Sequence, residues 1–201
     1  KGLANLTAHI RNAKLFGVPV VVAVNRFTSD TDAEIDLIRK AAIAVGAEDA
    51  VASTHWADGG AGAVALAEAV MAACAKPSDF RFLYPLDWDI KRKIETIAVE
   101  IYGADGVDFH YEASAAIERF TRLGYATLPV CMAKTQSSLS DDKTKIGRPR
   151  NWRLTVREIR LSAGAGMVVP VCGTMMTMPG LPKKPAAENI DLINGEIVGL
   201  F

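Results

Sequence analysis

The most constraining feature of this chain is residues 18–24, Val-Pro-Val-Val-Val-Ala-Val, a nearly unbroken β-branched run between Gly17 and Asn25. The run is too short for a buried helix and apolar on both faces, as in a central strand of a parallel sheet covered by helices on both sides. Its surroundings fit that reading. Leu6, Ile10 and Leu15 pattern a short helix before it, which Gly17 and Pro19 stop. After it, Asp30 or Thr31 can cap a helix carrying Ile35, Ile38, Ala42 and Val45 at spacings of three and four, ended by Gly46. Residues 50–53 read as a second strand, followed by a loop over residues 54–60. A further helix then carries Val64, Ala67, Met71 and Cys74 on one stripe.

Residues 77–89 hold Phe80, Phe82, Tyr84 and Trp88 between prolines, a loop whose aromatics should pin it to a surface. Ile90, Ile94, Ile97 and Ile101 mark a helix ended by Gly103, and Ala113, Ile117, Phe120 and Leu123 mark another ended by Gly124. Residues 128–133 are strand-like, and residues 134–151 form a long polar loop with Gly147 and Pro149. Residues 152–161 alternate and then slip, which predicts a strand with a bulge. Met167–Cys172 reads as a final strand before a Pro-rich tail. The element order predicts an α/β fold with a parallel or mixed sheet and flanking helices. Its core part would cover residues 1–104 and a smaller carboxyl-terminal α/β subdomain residues 105–201.

Composition narrows the function classes. With 201 residues, 50% apolar and 23% charged, the chain has the make-up of an ordinary soluble globular protein. Lys plus Arg and Asp plus Glu balance at 23 each, which argues against nucleic-acid binding through a basic surface. The run at residues 18–24 is far below the ~20 apolar residues of a membrane-spanning helix, so no membrane partner is expected. Cys74, Cys131 and Cys172 lack CxxC spacing and read as reduced packing residues of a cytoplasmic protein. The chain starts with Lys1 inside a running amphipathic pattern, which reads as a piece of a longer polypeptide.

Several catalytic signatures are absent from the sequence. No Gly precedes a Lys, so there is no G-x-x-x-x-G-K-[S/T] phosphate loop, and neither Gly60-Ala61-Gly62 nor Gly164-Ala165-Gly166 completes G-x-G-x-x-G. Three histidines without ligand spacing make a zinc site improbable, and G-x-S-x-G is missing. Asn25-Arg26 departs from the Asn-Lys-x-Asp guanine reader of GTPases, because Arg26 replaces Lys and the acid falls at Asp30. Two strand-end loops carry the positive signals. Phe27 follows the first strand and Trp56 the second, so both stand at the carboxyl end of the sheet, where open α/β folds bind ligands. Two aromatics on adjacent loops there can sandwich a flat ring, although each is also explained by ordinary loop packing. Further crevice candidates are Lys134 and Thr135, the stretch 148–151, and the rigid basic segment 176–185.

Five separated stretches then become specific: VVVAVNRFTSDT (20–31), STHWADGGAG (53–62), LPVCMAKTQSSL (128–139), SAGAG (162–166) and TMMTMPGLPKKPAAENID (174–191). In order along the chain they resemble formate–tetrahydrofolate ligase, also called formyltetrahydrofolate synthetase, and the ending Ile-Val-Gly-Leu-Phe resembles that family's carboxyl terminus. The resemblance implies roughly the last third of a P-loop NTPase-related enzyme. Such an enzyme uses ATP and Mg2+ to convert formate to formyl phosphate. It then transfers the formyl group to N10 of tetrahydrofolate, giving 10-formyltetrahydrofolate, ADP and phosphate. Phe27 and Trp56 would stack on the folate, and Pro149, Arg150 and Asn151 would approach the adenine. The phosphate loop, and most of the ATP and Mg2+ binding, would lie in an amino-terminal part not included here. No catalytic or metal-binding residue is assigned to this chain, and a cytoplasmic homo-oligomer is implied. The competing reading is a catalytically silent structural or oligomerisation module of a multifunctional folate enzyme.

Overall fold

The computed structural model describes residues 2–173 and 183–199. Helix α1 (Leu3–Lys14) leads into strand β1 (Val21–Asn25), helix α2 (Asp32–Ala44) and strand β2 (Asp49–Ser53). Thr31, one of the two candidate caps, starts α2 with a reciprocal capping box. Its hydroxyl accepts from Glu34 N, and the Glu34 carboxylate accepts from Thr31 N at 3.0 Å. Gly46, at φ +92°, turns the chain out of α2 into β2. β1 and β2 pair in parallel from Val21 opposite Asp49 to Asn25 opposite Ser53. Beneath them Ile10, Ala42, Ala47 and Ala50 form a small buried core with Leu6, Val20, Val22 and Val45 packed against it. Gly17 has φ +72°, and a Cβ there would stand 1.8 Å from Asp79 O. The close approach lets residues 79–81 bind back across Gly17 and Phe16 by backbone hydrogen bonds.

After β2 the chain forms a short helix α3 (His55–Asp58), a 3-10 turn (Gly59–Ala63) and helix α4 (Val64–Cys74). Helix α5 (Ile90–Thr96) continues as a π-helical turn (Ile97–Ile101). Strand β3 (Val107–Phe109), helix α6 (Tyr111–Arg122), and strands β4 (Leu154–Ser162) and β5 (Met167–Cys172) complete the main body. β4 is central to a three-stranded mixed sheet, parallel to β3 and antiparallel to β5, with the expected register slip between Val156 and Glu158. Ile90, Ile94, Ala98, Phe120, Leu154 and Val156 belong to one buried core, so α5 and α6 pack on this sheet.

The α/β class is as expected, with several corrections to detail. The described strands form three separate sheets, β1-β2, β3-β4-β5 and a hairpin of two short strands near the carboxyl end. Residues 128–133 make only isolated parallel bridges to β5, Val130 with Val168 and Ala133 with Val171. Phe80 and Phe82 do not pin the 77–89 loop, since both are exposed. Tyr84 does so instead, its hydroxyl oxygen accepting from Val130 N at 3.1 Å. The tail is not featureless: β6 (Asp191–Ile193) and β7 (Glu196–Val198) form a hairpin through Asn194 at φ +54° and Gly195 at φ +84°. The Asn-Gly pair is a strong type I′ turn signal that the sequence reading passed over.

Lys93 ties α5 to the rest of its core. Its side chain is fully buried, and Nζ donates to Ala126 O at 3.0 Å and Leu128 O at 3.1 Å. Burial pushes the ammonium below its usual range, only partly opposed by Asp87 and Asp89. Replacing Lys93 by Ala should lower stability by about 2 kcal/mol, because two partly buried carbonyls lose their donor and a buried side chain is truncated. Urea unfolding measures this, and a change below about 0.5 kcal/mol would contradict the role, being the size of an ordinary surface substitution.

Burial also pushes the Cys172 thiol up to about 12, whereas Cys74 and Cys131 are exposed. A group raised in the fold contributes stability that is intact below its unfolded value near 9 and lost as the pH climbs from there towards about 12. Native-state alkylation at pH 8 should therefore modify Cys74 and Cys131 and spare Cys172. Comparable labelling of all three, read by mass spectrometry, would contradict that burial.

Candidate functional site

Parallel pairing in register makes β1 and β2 end together, Asn25 opposite Ser53, and thereby brings the two candidate aromatic loops side by side. Arg26 N donates to Ser53 O at 3.0 Å, extending the ladder one residue beyond the strand. The next side chain, Phe27, stacks on Trp56, with ring centroids 5.6 Å apart and planes inclined by 28°. Both rings are about half exposed, Phe27 at 53% and Trp56 at 49%.

Each ring is held from behind. Trp56 Nε1 donates to Arg26 O at 2.7 Å, so the indole is anchored to the other strand's loop. Phe27 N donates to the Asp30 carboxylate at 2.8 Å, and Asp30 N donates back to Phe27 O at 3.1 Å, which closes the loop into a tight turn. The Arg26 guanidinium pairs with Asp32 at 2.7 Å on the first turn of α2. Behind Trp56, buried Ser53 contacts His55 Nδ1 through its hydroxyl at 3.1 Å, and Thr54 Oγ1 donates to Asp58 at 2.6 Å. Thr54 N donates to Gly62 O, and a Cβ on Gly62 would lie 2.6 Å from Thr54, so only glycine lets the 3-10 turn close over this loop. Sequence reasoning found the two rings but missed their supports. In the sequence Asp30 stands as a candidate helix cap and Arg26 as a departure from the guanine reader, whereas in the structure both support the rings.

The geometry places the two rings in direct contact. Rings holding a flat ligand between them stand about 7 Å apart, twice the ~3.5 Å contact distance of stacked carbon atoms. Phe27 and Trp56 are closer than that and contact each other, because the Trp56–Arg26 hydrogen bond draws the loops together. The pair thus presents a continuous, half-exposed aromatic platform in place of an open slot. A planar ligand gains stacking on its outer face, while insertion requires the loops to part.

Pro149, Arg150 and Asn151 lie elsewhere, in the loop that leads into β4. That loop is braced by Ser138 and Ser140, whose hydroxyls are 2.9 Å apart, and by Ser140 Oγ donating to Asp142 O at 3.2 Å. Asn151 takes φ +56°, a left-handed conformation that asparagine tolerates better than most residues. The adjacent Trp152 is buried, and its Nε1 has no hydrogen-bond partner among the described residues. Lys134 anchors the start of the loop. Its Nζ donates to Thr135 O at 2.9 Å and to Ser138 O, stands 4.8 Å from the centre of the Tyr102 ring, and is pushed below its usual range by burial. Lys134 is therefore occupied in holding the loop. No hydrogen bond or ring contact among the described residues joins this loop to the Phe27–Trp56 platform. Most of the basic segment 176–185 lies outside the described residues. Among the described residues no three His, Cys, Asp or Glu side chains gather closely enough to hold a metal ion.

Comparison with known proteins gives the family. The profile of formate–tetrahydrofolate ligase matches residues 1–201. The chain is 54% identical over 202 residues to the formate–tetrahydrofolate ligase of Desulforamulus reducens, covering 100% of this chain and 36% of that protein. A formate–tetrahydrofolate ligase of a Roseiflexus species is 52% identical over 200 residues, with 99% of this chain and 36% of the relative covered. The C-1-tetrahydrofolate synthase of Schizosaccharomyces pombe, named as cytoplasmic, is 52% identical over 202 residues, covering 100% of this chain and 22% of the relative. The chain thus spans about a third or less of the length of these curated relatives. With the match extending over the whole chain, this protein belongs to the formate–tetrahydrofolate ligase family.

Proposed function

We propose that this chain is the folate-orienting part of an ATP-dependent formate–tetrahydrofolate ligase, and that the Phe27–Trp56 platform carries the pterin-type ring of tetrahydrofolate. The observation that carries the reading is the half-exposed stack at the carboxyl ends of two parallel strands, fixed by the Trp56 Nε1 to Arg26 O hydrogen bond. Pro149, Arg150 and Asn151 are proposed to approach the adenine of ATP. The phosphate loop, the P-loop NTPase-type core and the Mg2+ ligands are assigned to polypeptide outside this chain, because the sequence contains no G-x-x-x-x-G-K-[S/T]. The full enzyme would act as a homo-oligomer.

In this reaction formate and ATP give formyl phosphate and ADP. The N10 lone pair of tetrahydrofolate then attacks the formyl carbon. The bond between that carbon and the phosphate oxygen breaks, N10 loses its proton, and 10-formyltetrahydrofolate and phosphate leave. Neutral N10 is a modest nucleophile, so much of the acceleration must come from holding it in line with the formyl carbon. The contribution of this chain is orientation. Stacking fixes the plane of the folate ring, and the hydrogen-bonded turn at Phe27–Asp30 fixes where that plane stands relative to the sheet.

In the full-length enzyme, Trp56→Ala should raise the KM for tetrahydrofolate by about tenfold, as expected for loss of a stacking surface, with the KM for ATP changed less than about twofold. Equal losses for both substrates would refute the platform assignment. The 201-residue chain alone should form no 10-formyltetrahydrofolate from ATP, formate and tetrahydrofolate. Turnover by the pure chain would contradict the division of labour.

A further inference from the structure

Helix α4 is apolar all the way round. Between Val64 and Cys74 its only charged residue is Glu68, and the helical stretch His55–Cys74 is long and apolar enough, by length and composition alone, to cross a membrane. A helix of that kind belongs inside a large protein core or in a bilayer. Here it is covered on one side only. Ala73 is buried against the β1–β2 unit, while Val64 is 52% and Met71 73% exposed, with Val70 and Cys74 also exposed. The stripe foreseen from the sequence exists, but it points away from the described core.

The strands beneath tell the same story. Among the described residues β1 and β2 form a two-stranded parallel sheet, and each has an open edge. Ala23, in the middle of the run that reads as a central strand, is exposed. Parallel sheets are found with both faces covered and more neighbours, because a pair alone buries too little apolar surface. An exposed apolar helix face and open sheet edges thus occur together on one unit among the described residues.

We propose that the outer face of α4, with the open edge of the β1–β2 sheet, is the docking surface for the polypeptide that full-length members of this family carry beyond the span of this chain. The family relatives supply the length argument, since at 54% identity over the whole chain it covers 36% of the Desulforamulus reducens ligase. The partner must present an apolar helix or strand face with a small-residue contour to match the Ala-rich helix, and a strand able to extend the parallel ladder. A membrane is the less fitting occupant, because the stretch is broken by the 3-10 turn at Gly59–Ala63 and carries His55, Asp58 and Glu68. This inference rests on family membership and is independent of the folate assignment.

The test places Met71→Asp in two contexts, the 201-residue chain and the full-length polypeptide containing it. In the chain alone the variant should leave the melting temperature unchanged, because Met71 is exposed. In the full-length protein it should lower the melting temperature by at least about 5 °C, the scale of a charge forced into a covered apolar face. Amide exchange of α4 should also be at least ~10-fold slower in the full-length protein than in the chain. Unaltered stability and exchange in the full-length protein would overturn the proposal. So would sedimentation of the isolated chain as a dimer that Met71→Asp dissociates, or flotation with phosphatidylglycerol-containing vesicles that the same variant abolishes. None of these readouts uses catalysis, so failure of the folate reading would leave them unmoved.

Discussion

Parallel pairing of β1 with β2 is the constraint from which the candidate site follows. The shared register ends both strands at the same level, and the Arg26 N to Ser53 O hydrogen bond carries the alignment one residue further. Phe27 and Trp56 then leave the sheet side by side, and the Trp56 Nε1 to Arg26 O bond converts nearness into a fixed stack. Slipping the register by one residue would turn each β1 side chain to the opposite face and remove Phe27 from its partner. The chemistry proposed for this end of the sheet therefore depends on backbone geometry more than on any single reactive group.

How far the sequence revealed this can be judged residue by residue. The valine run announced β1, Asp30 and Thr31 stood as alternative caps of α2 of which Thr31 takes the role, and the slip after Val156 announced the bulge in β4. These are local signals, written within a few residues of what they specify. What failed was nonlocal or under-weighted. Whether strands join one sheet or three depends on contacts between distant segments, and the valine run is apolar enough for a central strand but has only one neighbour here. The Asn194-Gly195 hairpin carries a clear local signal at the end of a proline-rich stretch. At the site, strand order placed the two rings at one end of the sheet, while their spacing and the supporting hydrogen bonds depend on side-chain geometry that no pattern encodes.

Two surfaces of the β1–β2 unit contrast. At the carboxyl end, half-exposed aromatic area is organised by hydrogen bonds to Arg26 and Asp30, as befits a surface that takes a ligand. Along α4, apolar area is exposed with no such organisation and almost no charge, as befits a surface that another part of a fold covers. Both observations agree with a chain that spans about a third of the length of its ligase relatives.

The most direct test of the central claim uses the full-length protein with Trp88 and Trp152 replaced by Phe, so that within this chain Trp56 is the remaining tryptophan. Tetrahydrofolate is titrated under anaerobic conditions, with fluorescence recorded against a matched protein that also carries Trp56→Phe. The account predicts saturable quenching of the Trp56 signal at the concentrations that saturate turnover. A Trp56 signal that stays unchanged while the enzyme binds and formylates tetrahydrofolate would contradict it.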